Sequence, residues 1–464
     1  MNNYNESGIS DTRQYSSLYI TAVTIVATLG GFLFGYDTAV IAGAIGSLKI
    51  FFQLSDWATG FAAGCALIGC MAGAMIAGYL SFKIGRKYSL LTAAFLFTVS
   101  AIGTAVPDTF TEFIIYRILG GIGVGIVSMV SPMYIAEIAP VHMRGKLVSY
   151  NQMAVVLGIF VVYFVNYFID RIGDDEWDIQ LGWRYMLASE TLPSLLFLGL
   201  ILLIPESPRW LMLKHKDEKA LNILQRMAGK LNALAIQAEI RRSMQEEKKM
   251  ASSVLSPLML KVVLVGVGLS VFQQVTGINA FLYYAPVIFK GLGSSGDTSM
   301  LQTVLVGTVN MLFTLVAIFT VDKLGRKPLM LIGSAGMGIC LITIGYGAYS
   351  ENLGTWLVWF VLGYIAFFAL SLGPVVWVLL AEMFPNRVRS SGMSIAVAAQ
   401  WISNFAVTAV FPVLVGYLNG ALAFWLFGLM CVATIVFVLW LVPETKGKTL
   451  EEMERTWEEK FPVS

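Results

Sequence analysis

Repeated apolar runs, each long enough to cross a bilayer, constrain this chain more than any other feature. A hydrocarbon core of about 30 Å takes roughly 20 residues of helix. About twelve such runs can be read, at 18–47, 57–82, 88–107, 112–139, 147–169 and 185–204, then 261–289, 301–321, 329–349, 355–383, 392–418 and 422–442. With 57% hydrophobic and 13% charged residues and a mean hydropathy of +0.74, one oversized soluble core is a poor alternative, since soluble domains carry about 25% charge. In lipid every backbone N–H and C=O must be paired within its own segment or a closed barrel, so the runs are expected to be helices. The reading is an all-α membrane protein.

Charge in the short loops sets an expected orientation. Lys83, Arg86 and Lys87 follow the second run, Arg144 and Lys146 the fourth, Lys323, Arg326 and Lys327 the eighth, and Arg389 the tenth. The loop after the fifth run carries Asp174, Asp175, Glu176 and Asp178 instead. Basic loops stay on the cytoplasmic side, which predicts both termini inside a multi-pass protein of the cell membrane. Residues 1–17 are polar and read as a cytoplasmic tail without a removable signal peptide.

Several classes fall away. A net charge of +2 gives no footprint for nucleic acid. The two histidines, His142 and His215, lie in loops, and no nucleophile–base or metal constellation accompanies them. Neither an enzyme nor a metal or cofactor site is expected. Cys65, Cys70, Cys340 and Cys431 lie inside apolar runs without metal-ligand or redox spacing and read as buried thiols.

The longest polar stretch, 206–258, separates six runs (18–205) from six (259–442), and 443–464 forms a short charged tail. The stretch has amphipathic helical spacing at 219–227 and 236–250 and reads as a cytoplasmic helical linker. The halves repeat each other. Gly85-Arg86-Lys87 matches Gly325-Arg326-Lys327, Ala136-Glu137 matches Ala381-Glu382, and Pro205-Glu206-Ser207 matches Pro443-Glu444-Thr445. A duplicated six-helix unit implies a pseudo-twofold axis along the membrane normal, with a solute site near mid-membrane between the halves. The repeated charges, Arg86, Glu137, Arg144, Glu206 and Arg209 in one half and Asp322, Arg326, Glu382, Arg389 and Glu444 in the other, are expected to lock the two bundles together on the inside when the site faces outward and to part when it faces inward, since Arg–carboxylate pairs are directional.

These motifs, with Gly30-Gly31-Phe32-Leu33-Phe34-Gly35-Tyr36-Asp37, Gln273-Gln274-Val275-Thr276-Gly277-Ile278-Asn279 and Gly373-Pro374-Val375-Val376-Trp377, make the chain resemble the sugar porters of the major facilitator superfamily over nearly its whole length. Phe82 departs from the pattern, standing where an acidic residue is usual, while Asp322 keeps it in the second half. The resemblance implies two pseudo-symmetric six-helix bundles and transport of a monosaccharide. A monomer is expected, with the lipid bilayer as its surroundings.

Ionisable residues inside a membrane are costly and are functional candidates by default. Asp37 lies about 28 Å along the first helix from its start, at 1.5 Å per residue, and Arg117 lies at a matching depth in the fourth run, so an ion pair can form. Glu190 lies just inside the outer end of the sixth. A carboxyl paired with Arg⁺ releases its proton more readily than one separated from it in a dry site, so changing the Asp37–Arg117 distance would couple proton uptake to conformation. The resemblance agrees, because proton-coupled members carry Asp and Arg at these positions and facilitators usually carry Asn for the Asp. The proton is then the coupling ion.

Sugars need amide donors and acceptors for hydroxyls and aromatic faces for C–H surface. Gln152, Gln273, Gln274, Asn279, Asn310 and Gln400 are amides inside apolar runs, and Phe34, Tyr283, Trp377 and Trp401 are the candidate aromatics. Gln273 and Gln274 are adjacent, so a regular helix would splay them about 100° apart. Gly373-Pro374 is expected to interrupt the tenth helix beside Trp377. Ile159 and Leu282 are candidate selectivity positions, and they point in different directions, so pentose and hexose both remain open. The leading expectation is proton-driven symport by alternating access. A uniporter and a non-transporting sugar sensor are the alternatives, the sensor being disfavoured by the short tail.

Overall fold

The computed structural model describes residues 16–140, 143–250, 257–384, 389–417, 420–447 and 450–461. Five spans of the first half are single helices: Ser17–Phe51, Asp56–Ile84, Arg86–Ala105, Phe110–Ile138 and Arg144–Asp170. The sixth crossing is split into Trp183–Ala188 and Thr191–Ile201. Among the described residues eleven helices are long and apolar enough to cross a membrane, and this broken one is the twelfth crossing. Pro193 supplies no N–H for the Ser189 carbonyl four residues earlier, and the turn falls at Ser189 and Glu190.

The second half repeats the plan with more breaks. Its seventh span runs as Pro257–Val275, Ile278–Tyr283 and Ala285–Gly291. The first break is at Gly277, whose φ of +95° suits glycine; an added Cβ would also sit 2.5 Å from the Phe427 ring. The eighth and ninth spans are Gly296–Leu324 and Arg326–Tyr349. The tenth is split into Trp356–Leu370 and Leu372–Met383. The expected interruption at Gly373-Pro374 is therefore displaced to Ser371 (φ −127°, ψ −96°), because Pro374 withholds a donor from the carbonyl four residues back, at Leu370. Arg389–Tyr417 and Ala421–Leu441 complete the bundle.

Both ends of the described chain lie on one face, called here the terminal face. That face also carries Pro208–Leu213, Asp217–Met250 and Leu450–Lys460. Trp210 donates to the Phe82 carbonyl at 2.9 Å and Trp457 to the Met383 carbonyl at 3.0 Å, so each short helix is pinned to the end of a span. The two halves meet where the eleventh span packs on the second and the eighth on the fifth. There the backbones nearly touch: a Cβ on Gly60 would come within 1.9 Å of the Ala409 carbonyl oxygen, an approach that only a residue without a side chain permits. On the face opposite the termini the halves are joined by Tyr163, which donates to the Leu282 carbonyl at 2.6 Å, and by Arg171 beside Asp297 at 4.0 Å.

Candidate transport site

A cavity of about 130 Å³ lies between the halves at mid-depth, far larger than the 10–15 Å³ that one water needs. The first half contributes Phe34, Gln152 and Ile159 to its wall. The second contributes Gln273, Gln274, Asn279, Leu282, Tyr283 and Asn310, with Gly373, Trp377, Gln400 and Trp401 across from them. Every substrate-contact and selectivity position expected from the sequence thus lines one space.

The breaks explain how distant residues converge. Gln273, in the last turn before the Gly277 break, donates to the carbonyls of Leu372 (2.8 Å) and Gly373 (3.1 Å) just past the break in the tenth span. Gln274 donates to Gln273 Oε1 at 3.2 Å, and Asn279 donates to Gln274 Oε1. The adjacent glutamines therefore share the cavity and form one amide chain. Opposite them, Phe34 and Trp401 rings meet across the two halves at 5.7 Å. Gln400 Oε1 and Trp401 Nε1 are buried with no hydrogen-bond partner among the described residues. An acceptor and a donor held unpaired beside aromatic rings suit a hydroxylated ring, because buried polar groups normally find partners. Asn404, Thr38 and Thr314 also line the cavity and were not among the expected residues. Asn404 lies four residues after Gln400, hence on the same helical face, and that spacing could have found it.

Asp37 Oδ1 lies 2.8 Å from Arg117 Nη1, and the side chains are 0% and 2% exposed. Arg117 Nη2 also donates to the Asp37 carbonyl at 3.3 Å. Glu190 is buried within Coulombic reach of both, at the turn that splits the sixth span. The Tyr36 hydroxyl, next to Asp37, meets the Ser189 hydroxyl at 2.7 Å and holds that turn against the first span. Asp37 Oδ2, Glu190 Oε1 and Arg117 Nε have no hydrogen-bond partner among the described residues. Two carboxyls and one guanidinium thus share one buried site. One positive charge can balance only one of the two carboxylates.

The repeated terminal-face charges are arranged differently from expectation. Arg86 makes a bidentate pair with Glu137 (2.8 and 2.9 Å), and Ser207 donates to the same carboxylate at 2.5 Å. Glu206 accepts from the Arg86, Lys87 and Ser207 backbone N–H groups, capping the third span at its positive end. Arg326 pairs with Glu382 at 2.7 and 3.1 Å, Thr445 donates to Glu382, and Glu444 caps the ninth span. Each of these networks closes within its own half. In this conformation they do not form the expected lock between bundles, because both partners of every pair described here sit on neighbouring helices of one six-helix unit. Asp322 adds a second carboxylate to Arg326 at 2.9 Å. Phe82, its counterpart, instead lies under Lys214 Nζ at 4.1 Å. Arg144 is exposed at the start of the fifth span, and Arg209 lies on Pro208–Leu213. The Arg389 side chain is outside the described residues.

The two caps differ in charge balance. Burial pushes the Glu206 carboxyl up despite its N–H donors. At Glu444 burial also raises the value, but four backbone N–H groups together hold it below the ordinary carboxylate range. A lowered value stabilises the fold above the unfolded value of about 4.3 and loses that stabilisation as pH falls through the folded one. A raised value does the reverse, contributing below the unfolded value and losing it as pH rises through the folded one. Thermal melting in detergent should therefore show E444Q more destabilised than E206Q at pH 7, with the E444Q deficit shrinking on acidification.

With this geometry in place, comparison places the chain among known proteins. The family described as "Sugar (and other) transporter" matches residues 23–457. The D-xylose-proton symporter of Escherichia coli (strain K12) is 49% identical, covering 96% of this chain and 97% of that protein. The arabinose-proton symporter of Bacillus subtilis (strain 168) is 40% identical over 97% and 98%. Among solved structures, the E. coli xylose transporter in a partially occluded inward open conformation superposes with a TM-score of 0.85 at 46% identity, covering 93% of this chain and 100% of that one. The chain belongs to the sugar transporter family of the major facilitator superfamily: it is a multi-pass membrane transporter and not an enzyme.

Proposed function

We propose that this chain is a proton-coupled monosaccharide symporter of the cell membrane, with the terminal face in the cytoplasm. The observation that carries the reading is the buried set of Asp37, Arg117 and Glu190, in which Asp37 shares the first span with Phe34 and Thr38 of the sugar-sized cavity's wall. Basic terminal-face loops support the orientation, and the proton-symporting relatives support the coupling. The six-span units 18–205 and 259–442 act as the two rocking bodies, the linker 206–258 and tail 443–464 lie beneath them, and a single chain suffices because the cavity is complete within it.

Sugar and proton enter when the halves part on the face opposite the termini. The amide chain of Asn279, Gln274 and Gln273 and the unpaired Gln400 and Trp401 atoms bind the hydroxyls. Protonation of one carboxyl in the Asp37–Glu190 pair loosens its claim on Arg117 and permits closure on that side. Pentose and hexose both fit the chemistry of the wall.

The test is sugar addition to a deenergised cell suspension expressing the chain, across a panel of pentoses and hexoses. Symport alkalinises the medium as protons enter with the sugar. Uptake with no pH change would show a uniporter, and binding with no uptake a sensor.

A further inference from the structure

We propose that Tyr163 is a positioning residue for transport, its hydroxyl holding the gate shut on the face opposite the termini. A helical carbonyl expects a donor four residues ahead. For Leu282 that residue is Pro286, which has no N–H. The donor comes instead from the other half of the protein: Tyr163, on the fifth span and about 1% exposed, reaches the Leu282 oxygen at 2.6 Å.

Among the described residues the same arrangement is found again inside the second half. Pro412 lies within the eleventh span and leaves the Thr408 carbonyl without its helical donor, and Tyr284 supplies one at 3.1 Å. That phenol joins helices of one unit, whereas Tyr163 joins the two units. Gly307 of the eighth span packs against Phe160 and Tyr163, so the phenol enters where the halves already touch.

The consequence is directional. While the face opposite the termini is closed, the Leu282 oxygen is satisfied. When the halves part there, Tyr163 withdraws and a carbonyl beside the sugar cavity is left without its phenol donor. Leu282 and Tyr283 line that cavity, so the bond acts on the piece of the seventh span that meets the substrate. Proline at 286 makes the bond valuable, because the backbone offers no substitute.

The inference rests on alternating access but not on proton coupling. It is tested with neither sugar nor pH gradient, so the two can fail separately. Spin labels on exposed Ile172 and Leu353, on opposite halves at the gated face, report its opening by pulsed-EPR distances in the full chain. Removing the one donor that the described residues offer to the Leu282 oxygen should raise the open population of Y163F about tenfold. P286A, which returns a backbone donor to Leu282, should raise it as well. Because both act through one bond, the double variant should open no more than the larger single change. Unchanged distances in both single variants, or two shifts that simply add, would overturn the assignment. If Y163F does not elute as a monodisperse protein, P286A alone decides: no shift there sinks the proposal.

Discussion

Replacing Asp37 with asparagine is expected to remove the ability to concentrate sugar. With one proton per sugar, a pH gradient of one unit is worth about 1.36 kcal/mol, which supports an accumulation ratio near tenfold. Asparagine keeps the size of the side chain and can still accept from Arg117, but it cannot take up or release a proton. Proteoliposomes holding D37N should therefore equilibrate labelled sugar to a ratio near one, whatever the pH gradient. Exchange of labelled for unlabelled sugar in the absence of a gradient should persist. Accumulation by D37N equal to that of the parent would place the coupling elsewhere.

Arg117→Met should have the largest effect on stability. The guanidinium is 2% exposed and is the partner of a carboxylate that is 0% exposed. Removing one member of a buried pair costs about 3–5 kcal/mol, because the other charge is left without compensation. Here Glu190 lies within reach as well, so two carboxyls would face each other in one buried site. They can escape only by binding protons. The melting temperature of R117M should therefore fall sharply at neutral pH and recover in part on acidification. Adding D37N to R117M should restore much of the loss, and a double variant no more stable than R117M would show that the pair does not act as a unit.

Much of this site could be read before any coordinates. Asp37, Arg117 and Glu190 stand out as ionisable residues in apolar runs, and the amides stand out in the same way. The convergence of the amides on one cavity follows from the duplicated six-span plan, which forces a shared interface. What composition and spacing do not carry is the local course of the chain. Gln273 and Gln274 share the cavity because helix breaks reshape the wall around them, at Gly277 and at Ser371, and an ideal helix would have splayed them. The tenth span breaks before Gly373-Pro374, because a proline acts on the carbonyl a turn behind it. The charge networks misled for a different reason. Repeated arginines and glutamates announce that they pair, but pairing within a half and pairing between halves leave the same pattern in the sequence. Distance alone decides, and Arg86 and Arg326 each find their carboxylates on neighbouring helices.

That self-containment bears on how the molecule could be divided. All the bonds of the Arg86 network join residues before 208, and all those of the Arg326 network join residues after 320. A gene cut between Met250 and Pro257 would break none of them. Each product would carry its own caps and ion pairs, together with its share of the close glycine seam at Gly60 and Ala409. Two co-translated polypeptides could then assemble into the same transporter, with covalent continuity serving to keep their numbers equal.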